Sequence, residues 1–451
     1  MLLGGINKWE SLLLFVGDIV VLYVSLWLSL ALRSWALPAA SVWQTHVVPF
    51  TFLTIAWVLV FFIAGLYEKH TTILRKRLPS IILNAQIVNS IIAILFFYFI
   101  PYFGITPKVI LFVYLVVSFG LVLVWRRYGI LLFDIREQQL AVLIGSGVEM
   151  QQLKREVNEN PRYGLYFASS IDVEDFDALD FQTEIVGRIY SEGIATIVID
   201  TKNDKVATIL PNLYNLMYSG VRFIDMHKVY EDIFDRVPLS LVQYGWFLEN
   251  ISVTRKFTYE FLKRLMDICI SFPLLIVSFL IFPFVWLAIK LDDGGPLFFI
   301  QERVGRNNKP INIIKVRTMT GVDQGDEVLK SKHEVTKVGK FLRTSRIDEL
   351  PQLWNVLRGD LSLIGPRPEL PLMVKHYEEA VPFYNVRHLI KPGISGWAQI
   401  YHENHPHHGA DVEETKVKLS YDLFYLTNRS FILDLKIALK TLKTLLLRAG
   451  I

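Results

Sequence analysis

The sequence is poor in cysteine and in charged residues. Its single cysteine, Cys269, excludes an intramolecular disulfide and any metal centre built on four cysteines. Asp, Glu, Lys and Arg make up only 20% of the 451 residues, whereas about a quarter is typical of soluble domains. The apolar fraction of 52% excludes intrinsic disorder, a collagen-like repeat and a purely soluble enzyme. A net charge of +4 is too small to indicate nucleic-acid binding by itself.

Much of the apolar excess lies in four long runs at the start of the chain, at 11–32, 47–66, 81–104 and 109–125. Each run has about 17 residues or more, which is enough to cross the hydrocarbon core of a bilayer as a helix. The first run is not a cleavable signal, because it is too long and three further runs follow it. We therefore predict a four-helix transmembrane bundle over residues 1–130.

Basic residues distinguish the two sides of these runs. One side carries Lys8, Lys69, Arg75, Lys76, Arg77, Arg126 and Arg127, and the other carries only Arg33 and Lys108. Because cytoplasmic loops are enriched in Lys and Arg, the first side and everything after Arg127 are predicted to be cytoplasmic. Asp18 is the one acid inside a run, and its position near the cytoplasmic end favours a snorkelling or packing role.

Residues 138–250 have the pattern of an α/β domain. Apolar strand candidates at 141–144, 195–199 and 221–224 alternate with helical segments, which predicts a parallel, Rossmann-like sheet. Gly145 and Gly147 follow the first strand, but Met150 stands where a dinucleotide fingerprint has its third glycine. A docking or regulatory role is therefore favoured over nucleotide binding.

A fifth apolar run, at 268–289, is interrupted by Pro273 and Pro283. Interior prolines remove helical hydrogen bonds, and both flanks of the run are basic, with Arg255, Lys256, Lys263 and Arg264 before it and Lys290, Arg303 and Arg306 after it. We predict a re-entrant membrane helix over 267–290 with a structural break at Pro283. The segment 431–447 combines Lys436, Lys440 and Lys443 with apolar residues, so it either lies on an anionic leaflet or packs on its own domain.

The region 294–400 contains the residues with the clearest chemical signature. Arginines and lysines recur at short spacing beside glycine and proline turns: Arg303, Arg306, Lys315, Arg317, Lys340, Arg343, Arg346 and Arg367. Arginine binds phosphate oxygens with two parallel hydrogen bonds, so several of them in one pocket indicate a pyrophosphate-bearing substrate. For any single residue, a solvated basic surface is the ordinary alternative, but it does not explain the acidic pair in their midst.

That pair is Asp348 and Glu349, which precede a helical segment with Pro351 in its first turn and Gly359 near its end. Asp348 is placed to act as a helix N-cap, which is the structural alternative to a catalytic role. A carboxylate ringed by arginines stays ionised and can attack phosphorus to form an acyl phosphate. Mg²⁺ is expected with it, because a carboxylate and a diphosphate repel each other unless a cation neutralises them.

The motifs at these positions resemble those of the bacterial polyprenyl-phosphate hexose-1-phosphate transferases. The resemblance covers about residues 255–448, and it is most specific at IDELPQLWNVLRGD (347–360) and GPRP (365–368). The four predicted spans and the α/β domain match the N-terminal half of the long members. The catalytic domain is accordingly expected over 255–451, as a membrane-associated α/β domain.

The resemblance implies a two-step reaction. Asp348 attacks the β-phosphate of a UDP-sugar and releases UMP, and polyprenyl (undecaprenyl) phosphate then takes the phosphosugar from the enzyme. In this scheme Asp348 and Glu349 are catalytic and hold Mg²⁺, while Arg303, Lys315, Arg317, Arg343 and Arg367 bind phosphates. The setting implied is the cytoplasmic face of the bacterial inner membrane, in the first membrane step of exopolysaccharide or O-antigen synthesis. Glucose is the expected sugar from family frequency alone, and a homodimer is compatible with the long members.

Two features depart from the family pattern. Phe282-Pro283 stands where Ser-Pro is common at the membrane break, and a histidine-rich loop at 402–408 has no counterpart that we associate with the family. The loop is interpreted as solvated rather than metal-binding, since proline and glycine frame it. Two other functions remain open at this point: a membrane-bound nucleotide-sugar oxidoreductase that uses the α/β domain, and a noncatalytic membrane scaffold.

Overall fold

The computed structural model describes residues 2–67, 78–100, 108–129, 138–174, 187–214, 216, 218, 220–251, 257–320, 334–401 and 411–447. The histidine-rich loop 402–408 lies outside the described residues, as do the basic residues Lys69, Arg75, Lys76, Arg77, Arg255 and Lys256. The chain forms two compact units. The first comprises residues 1–138 with the short segment Arg162–Gly164, and the second comprises the remainder.

The described helices and strands are numbered in chain order. The helices are α1 (Leu2–Ser34), α2 (Ala40–Ile63), α3 (Leu78–Phe99), α4 (Lys108–Val124), α5 (Gly147–Glu159), α6 (Gly187–Ser191), α7 (Asp204–Tyr214), α8 (Met226–Phe234), α9 (Tyr244–Asn250), α10 (Phe257–Asp292), α11 (Lys337–Thr344), α12 (Gln352–Arg358), α13 (Pro371–Ala380), α14 (Trp397–Tyr401), α15 (Val412–Thr427) and α16 (Phe431–Leu447). The strands are β1 (Gln139–Gly145), β2 (Leu165–Asp172), β3 (Thr196–Ile199), β4 (Arg222–Asp225), β5 (Phe298–Val304), β6 (Pro310–Val316), β7 (Ser362–Ile364) and β8 (Gly393–Ser395).

The first unit consists of apolar helices. Four segments in it are long and apolar enough to cross a membrane: Leu12–Ser34, Ala40–Ile63, Leu78–Phe99 and Val109–Gly129. They correspond to the four predicted runs. Helix α1 contacts α2 and α4, and α3 contacts the same two helices, around a core that includes Leu53, Trp57 and Tyr114.

Asp18 is fully buried in this unit and forms an ion pair with Arg126, which follows α4. The Tyr67 hydroxyl donates a second hydrogen bond to Asp18 at 2.7 Å, and Arg126 also donates to the carbonyl of Leu66. A buried charge is tolerated only when it is paired and hydrogen-bonded. Asp18 therefore has a packing role, and it does not snorkel to the surface.

The second unit begins with a four-stranded parallel sheet in the order β2-β1-β3-β4. The three apolar strands expected from the sequence are β1, β3 and β4. Strand β2 was not predicted. It pairs with β1 at the edge of the sheet, and its short apolar run at 165–168 is followed by two serines and ends at Asp172. The predicted boundary near residue 250 stays a prediction, because both segments that it separates fall within this unit.

Helix α10 is one helix of 36 residues that includes both Pro273 and Pro283. The predicted break at Pro283 is therefore wrong as a break in secondary structure. An interior proline removes one backbone hydrogen bond and crowds the preceding turn, which bends a helix without necessarily ending it. The flanking residues Phe282 and Val285 are buried against the rest of the unit, and this packing stabilises the helix on both sides of the proline.

Both ends of α10 are bonded to elements that follow it in the chain. Near its start, the Lys263 ammonium donates to the carbonyl of Ile364 and to Asp434, both at 2.9 Å. At its end, the Asp292 carboxylate accepts a hydrogen bond from the backbone N–H of Val338 at 3.0 Å. The helix thus lies along the domain from end to end, next to α11, α12, α16 and β7.

The C-terminal helix α16 packs on its own domain through two of its lysines. The Lys436 ammonium lies 5.0 Å from the ring centre of Trp397, and Lys440 is buried over the ring of Tyr401. Cation–π contacts of this kind stabilise partly desolvated ammonium groups. Of the two alternatives for this segment, packing accounts for Lys436 and Lys440.

Candidate active site

The two carboxylates singled out by the sequence lie in one 3-10 turn, Ile347–Glu349, between α11 and α12. Helix α11 is capped by Thr336, whose hydroxyl accepts a hydrogen bond from Gly339 N at 2.9 Å. The turn follows Arg346, which adopts a left-handed conformation with φ 55°. Non-glycine residues rarely adopt this conformation, and such strain is concentrated at functional sites.

Asp348 is not the N-cap of the following helix. Helix α12 begins at Gln352 and its N-cap position is Pro351, so Asp348 lies one turn earlier and makes no capping hydrogen bond. The predicted end of the helix is confirmed, because Gly359 terminates α12 in a left-handed conformation with φ 94°. The structural alternative for Asp348 is thereby removed.

Helix α12 is fixed against the hairpin of β5 and β6 by a buried amide. The Asn355 side chain donates to the carbonyl of Asn312 at 2.7 Å and accepts from the backbone N–H of Ile314 at 3.1 Å. These two bonds set the register between α12 and β6. Lys315, the next residue of β6, is thereby held beside the carboxylates.

Arg303 and Arg367 reach the site from two other elements. Arg303 lies on β5, on the same face of the hairpin as Lys315, and donates to Gln301 Oε1 through two nitrogens. Arg367 follows β7 and the turn at Gly365. A side chain at Gly365 would collide with the backbone of Lys391 and Gly393, so the close approach of β7 and β8 requires glycine there.

Glu349 is held by cations. Its Oε1 atom lies 3.3 Å from Arg367 Nη2 and 3.7 Å from Arg346 Nη1. Burial alone would raise the pKa of Glu349, but Arg367, Lys315 and Arg346 outweigh burial and lower it. Glu349 is therefore an ionised, fully compensated carboxylate.

Asp348 has the opposite electrostatic character. Burial and the adjacent charge of Glu349 raise its pKa to about 6, against the opposing effect of Lys315, Arg346 and Arg343. Its Oδ1 atom is buried and finds no hydrogen-bond partner among the described residues. Most buried polar atoms are satisfied, so the open carboxylate oxygen makes Asp348 the candidate for the reactive group of the pair.

Lys315 titrates near neutrality as well. Burial and the nearby Arg367 lower its pKa to about 8, while Glu349 and Asp348 act in the opposite direction. The ammonium form still predominates at pH 7. The site therefore surrounds two acids with five cationic side chains, Arg303, Lys315, Arg343, Arg346 and Arg367.

Two of the predicted phosphate-binding residues have other partners. The guanidinium of Arg317 forms a two-point ion pair with Asp293, at 2.6 Å and 3.2 Å, and donates to the carbonyl of Met319. Arg317 thus stabilises the turn after α10, and the structure does not bring it to Asp348 or Glu349. Arg343 donates through Nε to Thr318 Oγ1 at 3.0 Å and still acts electrostatically on Asp348.

Two residues that organise the site were not assigned a role from the sequence. Arg387 is buried, donates to the backbone carbonyl of Arg367 at 2.9 Å, and forms an ion pair with Asp422 at 2.8 Å. It holds the backbone from which Arg367 extends. Asn355 is the second of these residues. It stands beside Trp354 in the motif at 347–360, which could have marked it as important, but no local pattern shows that its side-chain amide bonds to β6.

The glycine turn of the α/β domain is partly filled by its own side chains. Met226 and Met150 lie against Gly145, and the Glu149 carboxylate lies close to Gly147 and accepts from Ser240 N at 3.3 Å. A carboxylate at the start of the helix opposes the approach of a pyrophosphate. Nothing in this arrangement favours the oxidoreductase alternative.

The donor set limits what metal the site could hold. Among the residues that the structure describes, no group of three or more His, Cys, Asp or Glu side chains is arranged to bind a metal ion. Asp348 nevertheless presents a buried, unpartnered oxygen. Such a site fits Mg²⁺, which is bound by one or two carboxylates together with substrate phosphates and water.

Comparison with known proteins agrees with this geometry. Residues 258–448 match the family model described as bacterial sugar transferase. The chain is 42% identical over 199 residues to the UDP-N-acetylgalactosamine-undecaprenyl-phosphate N-acetylgalactosaminephosphotransferase of Aeromonas hydrophila, which covers 43% of this chain and 45% of that relative. The matched part is thus less than half of the relative's length.

Two further relatives extend the comparison. The undecaprenyl-phosphate glucose phosphotransferase of Komagataeibacter xylinus is 31% identical over 319 residues, covering 67% of this chain and 58% of that protein. The UDP-glucose:undecaprenyl-phosphate glucose-1-phosphate transferase of Caulobacter vibrioides is 38% identical over 188 residues, covering 41% of this chain and 69% of that protein. The residues matched by the family model, 258–448, include Asp348.

The ion pair of Arg317 predicts a structural phenotype. Replacing Arg317 with Ala removes a two-point, largely buried pair with Asp293 and should cost about 1–3 kcal/mol of stability. The midpoint of thermal unfolding of the purified protein measures this loss of stability. Arg358→Ala, which removes an exposed arginine, is the matched control and should change little. A midpoint for Arg317→Ala equal to that of the control would contradict the assignment.

Proposed function

Because this chain belongs to the bacterial sugar transferase family, we propose that it transfers a hexose-1-phosphate from a UDP-sugar to undecaprenyl phosphate and releases UMP. The observation that carries the proposal is the unpartnered, buried Oδ1 of Asp348 close to the cations Lys315, Arg343 and Arg346. The names of the relatives support the two substrates. They differ in the sugar, since the Aeromonas protein is named for N-acetylgalactosamine and the Caulobacter protein for glucose.

The proposed chemistry is a double displacement at one phosphorus. An oxygen of Asp348 attacks the β-phosphorus of the UDP-sugar, a P–O bond to the aspartate forms, and the bond to the bridging oxygen breaks with release of UMP. A phosphate oxygen of undecaprenyl phosphate then attacks the same phosphorus and frees the Asp348 carboxylate. Each step exchanges one P–O bond for another, and the carboxylate must be ionised to begin.

The surrounding cations have a clear task in this scheme. Lys315, Arg303 and Arg367 can neutralise phosphate oxygens as charge develops, and arginine does so in a fixed two-point geometry. Glu349 keeps Arg367 and Arg346 in place through its ion pairs. We therefore assign Glu349 mainly to positioning and Asp348 to covalent catalysis.

Mg²⁺ fits the open oxygen of Asp348, and Glu349 lies beside it. When bound, the ion would neutralise diphosphate oxygens and so reduce their repulsion of the carboxylates. The residues of the chain bind and orient the diphosphate around it. Arg343 and Lys315 favour the ionised form of the Asp348 carboxyl group, because both lower its pKa.

The arrangement of α10 supports a helix that enters the membrane and does not cross it. Lys263 and Asp292, close to opposite ends, both bond to the catalytic domain, so a crossing would place parts of one folded domain on both sides of the bilayer. The exposed residues of α10 from Phe261 to Leu287 are all apolar, and Phe272 and Phe284 are among them. We propose a re-entrant or in-plane helix, bent at its prolines, with the catalytic domain in the cytoplasm.

In the same proposal, the α/β domain lies in the cytoplasm. We propose that it is a Rossmann-like regulatory module, because its glycine turn is occupied by Met226 and Glu149. The bacterial inner membrane is the corresponding location, where a lipid acceptor and a cytoplasmic UDP-sugar meet. An early step of exopolysaccharide or O-antigen synthesis is the process that this reaction would serve.

The nucleophile assignment predicts the behaviour of Asp348→Asn. This variant should fold and insert normally but lose UMP release by about a thousandfold or more, because the amide cannot form the phosphoaspartate. Mass spectrometry of wild-type protein incubated with UDP-sugar alone should show a phosphohexose adduct that the variant lacks. Glu378→Gln, on the exposed face of α13, is the matched control. Normal turnover by Asp348→Asn would refute the mechanism.

The pKa of Asp348 predicts the pH dependence of the first step. The carboxylate is protonated below about pH 6, so single-turnover UMP release should fall about tenfold per pH unit below that value. Arg343→Gln removes a cation that lowers this pKa and should move the profile to higher pH. A profile that is flat between about pH 5 and pH 7 in both proteins would argue against an ionised Asp348 as the attacking group.

The topology predicts which tags are protected. A protease-sensitive tag after Ile451 should be shielded from external protease in intact cells, since the domain that follows α10 is cytoplasmic. A tag placed between α1 and α2, next to the exposed Trp35, should be cleaved under the same conditions. Cleavage of the C-terminal tag with intact membranes would show that α10 crosses.

A further inference from the structure

A second recess with a surplus of positive charge lies at the far end of α12 from the carboxylates. It encloses about 460 Å³ of space open to solvent, and its lining includes five cations: Lys263, Arg264, Arg306, Lys391 and Arg429. The acids that line it are Glu260 and Asp267. Neither Asp348 nor Glu349 lines it. Since α12 has seven residues, its ends are about 10 Å apart, so the recess is separate from the proposed active site.

Three of the five cations are explained by the fold. Arg429 donates to the carbonyl of Leu426 at 3.1 Å and forms an ion pair with Glu260 at 3.7 Å. Lys263 is hydrogen-bonded to Ile364 O, to Tyr425 and to Asp434, which uses all three of its donors. Arg264 donates to the carbonyls of Val356 and Leu357 at 2.6 Å. These are among the last carbonyls of α12, which carry partial negative charge at a helix C-terminus. Their role is to join α10 to the catalytic domain.

Lys391 and Arg306 have no such explanation. Within the described part of the chain, the side chain of neither residue forms a hydrogen bond or an ion pair, although both lie in the same recess as Arg264. Burial and the charges of Arg264 and Arg306 lower the pKa of Lys391, with Asp267 acting in the opposite direction. The recess has five cations against the two acids Glu260 and Asp267, and such an excess of like charge costs stability unless an anion compensates it.

The surroundings of the recess indicate where the anion comes from. The residues of α10 that line it, such as Glu260 and Arg264, are each followed by an exposed apolar residue, Phe261 and Leu265. Neighbouring positions on a helix differ by about 100°, so this apolar stripe borders the recess. Across it, Ile432 at the start of α16 is 79% exposed. A soluble anion would need no apolar border, whereas a lipid presents its phosphate beside its acyl chains.

We propose that this recess binds the phosphate group of a membrane lipid through Lys391 and Arg306, with the lipid's chains lying along the apolar stripe of α10. The phosphate could belong to an anionic phospholipid or to a polyprenyl phosphate, since both present the same chemistry at the same depth. The proposal does not rest on the proposed transferase activity. It requires only that the protein retain a lipid phosphate at a site other than Asp348.

Lipid retention by the full-length protein tests the proposal. Native mass spectrometry of delipidated protein, incubated separately with phosphatidylglycerol, undecaprenyl phosphate, phosphatidylcholine or inorganic phosphate, counts the molecules bound. The double variant Lys391→Gln/Arg306→Gln should bind its lipid about tenfold more weakly or worse, because two charge-assisted hydrogen bonds are lost. The matched control Lys228→Gln/Lys375→Gln removes two exposed lysines elsewhere and should bind normally. Lys391→Arg keeps the charge and should retain most of the binding.

Each outcome decides between alternatives. Selective loss of phosphatidylglycerol supports a structural phospholipid, and selective loss of undecaprenyl phosphate supports a waiting site for the acceptor. Retention of both lipids at wild-type levels by the double variant overturns the proposal, as does displacement of bound lipid by an equal concentration of inorganic phosphate. Asp348→Asn should leave lipid retention unchanged, so failure of the transferase mechanism and failure of this site are distinguishable.

Discussion

The catalytic domain depends on the buried ammonium of Lys263. This residue lies near the start of α10, and its three hydrogen bonds go to β7, α15 and α16 through Ile364, Tyr425 and Asp434. A buried ammonium without these acceptors would cost several kcal/mol, so the helix can be stable only where the domain supplies them. Because α10 is fixed there, it also lies against α12, and α12 follows the turn that contains Asp348. The hydrogen bonds of Lys263 thus set the position of the Asp348 carboxylate relative to the apolar surface of α10.

The adjacent acids differ because their partners differ. Glu349 has Arg367 and Arg346 within ion-pair distance. Its charge is therefore compensated, and its carboxylate is less available to react. Asp348 is left with an open oxygen, and part of the unfavourable environment that raises its pKa is the charge of Glu349 itself. One carboxylate therefore organises the cations and the other remains available. The left-handed Arg346 allows this division, since it turns the chain so that both acids enter the same pocket from a single turn.

The sequence predicted what depends on composition and local pattern. The four apolar runs, the three apolar strands, the end of α12 at Gly359 and the acidic pair among arginines were all readable in this way. It missed what depends on partners distant in the chain. Arg317 has the same local signature as Arg367, but only the fold shows that Asp293 neutralises it. The edge strand β2, the bridging amide of Asn355 and the support of Arg367 by Arg387 have no local pattern, because each is defined by a neighbour far away in sequence.

The error at Pro283 follows from the same distinction between local and distant effects. Locally, a proline in a long apolar helix indicates a break, since one hydrogen bond is lost. In the fold, Phe282 and Val285 pack into a core with Val316 and Leu342, and this burial offsets the cost of one missing bond. A helix that is held by side-chain packing on both sides of a proline can bend and remain helical. The proposal that α10 turns back within the bilayer rests on where its two ends are bound, since Lys263 and Asp292 both bond to residues that follow the helix in the chain.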